Sequence, residues 1–353
     1  MPRMSAPHNI YIHVPFCASK CNYCAFYSAA IKPDWQKYAT EICKELDYWA
    51  EKLGRITVPT IFFGGGTPSL MPTEVFSEIL EKANSRFHIP NNAEITIEAN
   101  PGTLAPTKLN DFIALGLNRL SVGAQSLDDT RLAFLGRRHT AADARALLAF
   151  AIMRNIRVSA DFIYGLPGDT AATVKQMCMD INSLGLKHCS LYELTIEPHT
   201  PFGKMNLKMP SNTDMAEMYS AISETLALSR YEVSNYAAPG HECRHNLNIW
   251  DGDAYIGIGR GAAGRVLLQD TWYEQMGAGA IFSPISTEAR AAEKIITGMR
   301  TRRGVKITPD VKAAINWDWV QQNPSAVRRN DDRLCATDSG LLTLDSMLVE
   351  LIR

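Results

Sequence analysis

Cys17, Cys21 and Cys24 carry the first chemical signal of the chain. They are spaced Cys-x3-Cys-x2-Cys, and the next cysteine is Cys43. Iron–sulfur clusters are held by cysteine thiolates, and an ordinary four-iron cluster has four of them. A compact set of three leaves one iron without a protein ligand and open to a small molecule. Zinc is the plainer alternative, but structural zinc takes four Cys or His ligands, often in two paired knuckles. His13 lies close in sequence, and a second knuckle is missing.

Other residues could serve a ligand at such an open iron. Gly64-Gly65-Gly66-Thr67-Pro68-Ser69 offers bare backbone, although one glycine suffices for a tight turn. It is not a P-loop, because the Gly-Lys-Ser/Thr ending is absent. Glu98, Gln125, Arg137 and Asp161 are polar residues that singly read as caps or surface groups. Together they suit a ligand with hydroxyls, an ammonium group and a carboxylate, since arginine matches a carboxylate in bidentate fashion. Cys243-Arg244-His245-Asn246-Leu247-Asn248-Ile249-Trp250 sets a histidine beside a cysteine and a tryptophan, which could give haem an axial ligand and an aromatic wall. A lone histidine is more often a hydrogen-bonded structural residue. Gly257-Ile258-Gly259 superficially resembles a dinucleotide fingerprint, but it opens no βαβ unit and no acidic residue follows about twenty positions on. Close packing is its expected use.

These residues need elements to hold them. From residue 9 to about 228, β-rich runs alternate with amphipathic helical stretches. The runs are Ile10–Val14, Thr60–Phe63, Ile95–Glu98, Arg119–Gly123, Arg157–Tyr164 and His188–Thr195. The helical stretches lie near 33–53, 73–85, 105–115, 140–154, 170–184 and 213–228. In the first, Trp35, Tyr38, Ile42, Trp49 and Leu53 fall close to one face. Six strand–helix units imply an α/β fold with a parallel sheet, open or curled into a partial barrel. Ligands of such folds bind at the carboxyl ends of the strands, where the cysteines, the glycine loop and the ends of the later strands should converge. After about residue 230 the rhythm changes. Residues 1–240 are expected as the barrel and 241–353 as a smaller domain, with a helix over 286–300 and a turn at Asp338-Ser339-Gly340 before a last helix.

Composition sets the outer limits. The chain has 353 residues, 46% hydrophobic and 21% charged, with a net charge of −1. That is ordinary for a globular protein and gives no reason to expect nucleic acid as a partner. No apolar run approaches the roughly 18 residues of a membrane span. Residues 1–9 lack the apolar core of a signal peptide, so a cytoplasmic location is expected. Cys43, Cys178, Cys189 and Cys335 are isolated and read as structural thiols.

The cysteine spacing, preceded by Tyr11-Ile12-His13-Val14-Pro15-Phe16, resembles the cluster loop of radical S-adenosylmethionine proteins. More narrowly, the chain resembles the branch of oxygen-independent coproporphyrinogen III oxidase (HemN) and the HemW haem chaperones. Gly-Gly-Gly-Thr-Pro-Ser, Glu98-x-Asn-Pro, Gly-x-Gln125-Ser, Arg137-x-His139 and Asp161-x-x-Tyr-Gly-Leu-Pro recur in order over nearly the whole chain. The resemblance implies a partial (β/α)6 TIM-like barrel, a [4Fe-4S] cluster on Cys17, Cys21 and Cys24, and S-adenosylmethionine on the open iron. By motif position its pocket is Tyr11, Tyr23, Gly65, Gly66, Thr67, Glu98, Gln125, Arg137 and Asp161. The dehydrogenase has a fourth cysteine where this chain has Phe26, and Phe26 follows the HemW pattern. His245-Asn246-Leu247-Asn248-Ile249-Trp250 nearly matches the His-Asn-x-x-Tyr-Trp of HemW, with Ile249 for tyrosine and Ala263 for a histidine common further on. The implied role is to bind haem, with His245 the candidate ligand and Cys243 the alternative. Haem would then pass to haem-accepting respiratory proteins, membrane-associated ones among the candidates. A coproporphyrinogen dehydrogenase is the competing expectation.

Overall fold

The computed structural model of the chain describes residues 6–276 and 282–353. The six apolar runs form β1 (His8–Val14), β2 (Thr60–Gly65), β3 (Glu94–Ala99), β4 (Arg119–Gln125), β5 (Arg157–Tyr164) and β6 (His188–Glu193), hydrogen-bonded side by side in that order. Every pairing among them is parallel, which requires a crossover between successive strands. The crossovers contain α1 (Trp35–Leu53), α2 (Thr73–Arg86), α3 (Pro106–Ala114), α4 (Asp129–Phe134), α5 (Ala141–Ile152) and α6 (Ala171–Ser183), and α7 (Asn212–Thr225) follows β6. In α1 the Asp34 side chain accepts from the backbone N–H of Lys37, closing the first turn. Its buried face is Tyr38, Ile42, Leu46, Trp49 and Leu53, at the helical spacing read from the sequence.

The sheet curls. Tyr11, Phe62, Glu98, Ser121, Asp161 and Ser190, one from each of the six strands, line a single cavity on its concave side. Ile10, Ile12, Phe63, Ile97, Leu120 and Phe162 alternate with them and pack outward under the helices.

The sheet does not stop at the expected boundary of residue 240. Next to β6 come β8 (Asn235–Ala237) and then β7 (Ser229–Arg230), both antiparallel. On the far edge, beyond α8 (Arg244–Trp250), β9 (Ala254–Ile258) pairs parallel with β1. Strands β10 (Ala263–Leu268), β11 (Thr271–Met276) and β12 (Phe282–Pro284) continue antiparallel from it. The Gly257 segment is therefore an inner strand, and a Cβ at Gly257 would lie 2.3 Å from the carbonyl oxygen of Ala263. That is close packing, as the sequence suggested.

A second core starts later. Ile295 and Met299 of α9 (Thr287–Met299) pack with Val305 of β13 (Val305–Lys306) and Val311 of α10 (Pro309–Ala314). Around them stand α11 (Trp317–Gln322), β14 (Val327–Asn330) and β15 (Arg333–Ala336), then α12 (Asp338–Leu342) and α13 (Leu344–Leu351). The turn expected at 338–340 is instead the start of α12, because the Thr337 hydroxyl accepts from the N–H of Gly340 and caps a helix there. Among the described residues no helix is long and apolar enough to cross a membrane.

Candidate functional site

The loop after β1 carries the three cysteines over the carboxyl end of the barrel. It is tied down at both ends: Ala29 N–H donates to Pro15 O (2.8 Å) and Cys17 N–H to Ala29 O (3.0 Å). Its middle is held by α4, with Asn22 N–H on Leu135 O (3.2 Å) and Asn22 Nδ2 on Phe134 O (2.9 Å). Tyr23 packs on a satellite core of Leu135, Ile163, Leu166, Leu194 and Phe202. Cys17, Cys21 and Cys24 are free and half-buried. Burial pushes the Cys24 thiol up, and the nearby Cys21 and Cys17 add to that shift. Among the described residues no three His, Cys, Asp or Glu side chains converge tightly enough to hold a single metal ion.

The glycine loop after β2 lies directly under the cysteine loop. Gly66 N–H donates to Val14 O (2.7 Å) and Thr67 N–H to Phe16 O (2.7 Å). A Cβ at Gly66 would sit 2.6 Å from Phe16 O and 3.0 Å from Cys17 Sγ, so a side chain there would push the cysteine loop away. Gly65 N–H donates to Glu98 Oε2 (3.1 Å), which ties the loop to β3.

Arg137 joins the remaining parts. Its Nη1 lies 3.4 Å from Cys21 Sγ, while Nη2 donates to Gly123 O (2.7 Å) and to Asn100 Oδ1. Asn100 Nδ2 in turn donates to Thr67 Oγ1 (3.0 Å). At the end of β4 the ladder slips, and Gln125 takes φ 64°, a conformation rare outside glycine that clusters at functional sites. A Cβ at Gly123 would lie 2.9 Å from Gln125 Nε2 and 3.0 Å from Asn100 Oδ1, so this strand end is kept bare for the convergence.

Two carboxyls face the cavity below. Burial first, and then the Asp161 charge, push Glu98 up to about 8. Asp161 is likewise raised by burial, opposed by hydrogen bonds from Ser190 and Ser121. Carboxyls so poised suit a cationic ligand, whose charge would replace their protons. Tyr11 OH lies 3.0 Å from His13 Nδ1, and His13 Nε2 lies 2.7 Å from Tyr27 O. A carbonyl only accepts, so Nε2 carries the proton and Tyr11 donates to Nδ1.

Thus the cysteine loop, the glycine loop, Glu98, Gln125 and Arg137 meet at one end of the barrel, with Tyr11 and Asp161 in the cavity beneath. His13, which the sequence weighed only as a neighbour for zinc, and Asn100, which it did not single out, hold its parts together. Their signal was position: His13 precedes the cysteines and Asn100 lies in Glu98-x-Asn-Pro.

His245 is not brought to this end. It stands on α8 beside the starts of the strands, 3% exposed, with Nδ1 2.7 Å from Thr60 Oγ1. Thr60 Oγ1 donates to Asn9 Oδ1 (2.8 Å), so the imidazole Nδ1–H is the donor to Thr60. His245 N–H donates to Glu94 Oε1 (3.0 Å), and its ring stacks on Phe62 at 5.0 Å. Burial lowers its pKa to about 3, keeping it neutral. Cys243 beside it is buried, and burial pushes its thiol up to about 12. Glu94 also accepts from Arg157 (3.2 Å) and lies 3.7 Å from Arg119. This is a polar seal at the amino end of the barrel, and the cavity between it and Glu98 holds about 280 Å³.

Known proteins resemble this chain in sequence and in fold. The family model of the Radical SAM superfamily matches residues 11–181. The chain is 36% identical over 270 residues to "Heme chaperone HemW" of Escherichia coli, covering 75% of this chain and 71% of that one. It is 31% identical over 377 aligned positions to "Heme chaperone HemW" of Mycobacterium tuberculosis, covering 99% and 96%. Among solved structures, coproporphyrinogen III oxidase (HemN) from Escherichia coli, a radical SAM enzyme, matches with a TM-score of 0.79 over 98% of this chain and 90% of that one. The identity there is 17%, so that likeness speaks for the fold.

Proposed function

The chain belongs to the HemW family of radical S-adenosylmethionine proteins, and from that membership we propose that it is a haem chaperone. In this reading it binds a [4Fe-4S] cluster, S-adenosylmethionine and haem, and delivers haem to haem-accepting respiratory proteins from the cytoplasm. The observation that carries the cofactor part is the convergence on Arg137, whose guanidinium links the cysteine loop to β4 and, through Asn100, to the glycine loop.

Cys17, Cys21 and Cys24 would hold the cluster, and the bare Gly66 keeps the loop beneath Cys17 free of side-chain atoms. Once reduced by an external one-electron donor, such a cluster with an open iron would supply the electron that reductive cleavage of the sulfonium requires. The residues of the chain do the rest. Glu98 and Asp161 offer carboxylates to an ammonium group and to ribose hydroxyls, Arg137 offers charge to a carboxylate, and Thr67 offers a hydroxyl. Tyr11 and Tyr23 wall the site, and the half-buried cysteine loop limits water above it.

His245 we assign to the seal. Its imidazole is neutral with Nδ1–H engaged, which suits a ligand, but it opens only onto a cavity of about 280 Å³. Drug-sized ligands occupy roughly 300–1,000 Å³, and haem is not smaller than these.

The test is anaerobic reconstitution followed by iron and sulfide analysis, titration with S-adenosylmethionine and titration with haem. A four-iron spectrum and stoichiometric binding of both ligands are expected, with no turnover of coproporphyrinogen III. Formation of protoporphyrinogen would make the chain a dehydrogenase instead, and zinc without a four-iron spectrum would make it a scaffold.

A further inference from the structure

A second cavity, of about 610 Å³, opens beside the same cysteine loop but outside the barrel, between residues 15–34 and the first turns of α1. Its walls are apolar: Phe16, Phe26, Tyr27, Ile31, Tyr38 and Ile42. Phe26, Tyr27 and Ile31 are 68%, 58% and 59% exposed. Large apolar side chains left uncovered together mark a place where something docks.

The rim is cationic. Lys20, Lys32, Lys37 and Arg260 line it, with Lys20 Nζ 3.5 and 3.4 Å from the carbonyl oxygens of Phe26 and Ser28. Three carboxyls also line it, and each has an internal partner. Asp34 accepts from Lys37 N–H (3.0 Å), Glu45 Oε2 accepts from Gly259 N–H (3.0 Å), and Glu41 lies 4.0 Å from Arg260. Lys32 and Lys37 side chains make no ion pair among the described residues. Four cations against three carboxylates leave the lining of this apolar slot with a net charge of +1, and Lys32 and Lys37 as its unpaired ammonium groups.

We propose that this cavity seats the porphyrin of haem, with the macrocycle against Phe26 and Tyr27 and the propionates at Lys32 and Lys37. The proposal rests on the haem-chaperone reading and moves the haem from His245 to the outer face of the cluster loop. The volume suits a flat amphiphile of that class, where the barrel cavity does not. No His, Cys or Met lines the slot, and the Tyr38 hydroxyl already donates to His13 O (2.9 Å), so in this seat Tyr27 serves by its ring and recognition runs through the ring faces and the carboxylates rather than the iron. A cargo held without a strong axial ligand is one that a haem protein's own ligands can take.

The seat also touches the site below it. Tyr27 O is the acceptor for His13, which accepts in turn from Tyr11 at the cavity that Glu98 faces.

The test uses the full chain reconstituted anaerobically, titrated in parallel with haemin and with iron-free protoporphyrin IX and read by absorbance. Wild type should bind both within about threefold of each other. Phe26→Asp, and separately Lys32→Glu with Lys37→Glu, should weaken both at least tenfold while the cluster spectrum stays intact; these are exposed positions, so the fold should survive. His245→Ala should bind both as wild type does. Haemin binding without porphyrin binding, or loss in His245→Ala with none in the slot variants, would overturn the seat while leaving the chaperone reading standing. If wild type binds neither ligand, that reading fails and the seat fails with it.

Discussion

Arg137 Nη1 stands 3.4 Å from Cys21 Sγ across 116 residues of chain, and the same guanidinium is pinned by Gly123 O at 2.7 Å. A cation held by backbone beside a cluster thiolate stabilises negative charge on the sulfur. Hydrogen bonds to the sulfurs are among the terms that set a cluster's potential, and losing one makes reduction harder. Arg137→Ala should therefore shift the cluster midpoint negative by some tens of millivolts, ~40 mV if the bond is worth about 1 kcal/mol. It should also weaken S-adenosylmethionine binding roughly ten- to a hundredfold, for charged contacts of about 1.5–3 kcal/mol. Spectroelectrochemical titration checks the first and calorimetry the second. An unmoved potential would mean that the guanidinium serves the loops alone.

Gly66 offers a sharper probe of the cradle. The Cβ of Gly66→Ala would meet backbone oxygens of Phe16 and Val14 at 2.6 and 2.9 Å, and neither can swing aside as a side chain would. The cysteine loop must lift, at a cost of roughly 1–3 kcal/mol for overpacking. Iron and sulfide content after reconstitution should fall while the far-UV circular dichroism stays as in wild type. Full cluster content in this variant would show that the two loops are not packed on each other in the loaded protein.

The barrel was legible because its strands declare themselves locally. Runs such as Arg157–Tyr164 are bounded by turn residues and spaced by helices with one apolar face. The remaining strands were not, because β7, β8 and β12 are only two or three residues long, and β9 finds its partner β1 about 245 positions earlier. Of the site, charged and glycine motifs stood out, whereas His13 and Asn100 work through hydrogen bonds to residues that only folding brings near. His245 shows the converse. A histidine before Asn and near Trp reads as a ligand, and the motif does not report that α8 buries it with Nδ1 on Thr60 and its backbone N–H on Glu94. Phe26 was read as the lack of a cysteine, and the fold gives it a second meaning as an exposed ring on the wall of a slot.

The amino-end seal should be costly to open. Glu94 is buried with Arg119, accepts from Arg157 at 3.2 Å and takes the backbone N–H of His245 at 3.0 Å. Glu94→Ala leaves Arg119 and Arg157 uncompensated at the barrel floor, and removing one partner of a buried pair typically costs about 3–5 kcal/mol. His245→Ala removes a hydrogen bond and a ring contact and should cost about 1–3 kcal/mol. Urea denaturation of the cluster-free chains gives both values. A larger loss for His245→Ala than for Glu94→Ala would reverse this account of which residue anchors the seal.

Glu98 supplies a pH dependence of definite sign. Its carboxyl rises from the ordinary 4.5 to about 8 in the folded chain. Below 4.5 the group is neutral folded or unfolded and costs nothing. Between 4.5 and 8 the unfolded chain ionises freely while the folded one does not, so stability declines across that window and levels off above it. Glu98→Gln should flatten this decline, leaving a smaller slope from Asp161, which is raised by its own burial. A ligand ammonium beside Glu98 needs the carboxylate, so S-adenosylmethionine should bind more tightly as pH rises towards 8, by at most about tenfold per pH unit. In Glu98→Gln the affinity should be lower and nearly independent of pH. Melting temperatures and ligand titrations at several pH values from 5 to 9 follow both effects in the same samples. If wild type and Glu98→Gln show the same two slopes, the proton in this cavity belongs to another group.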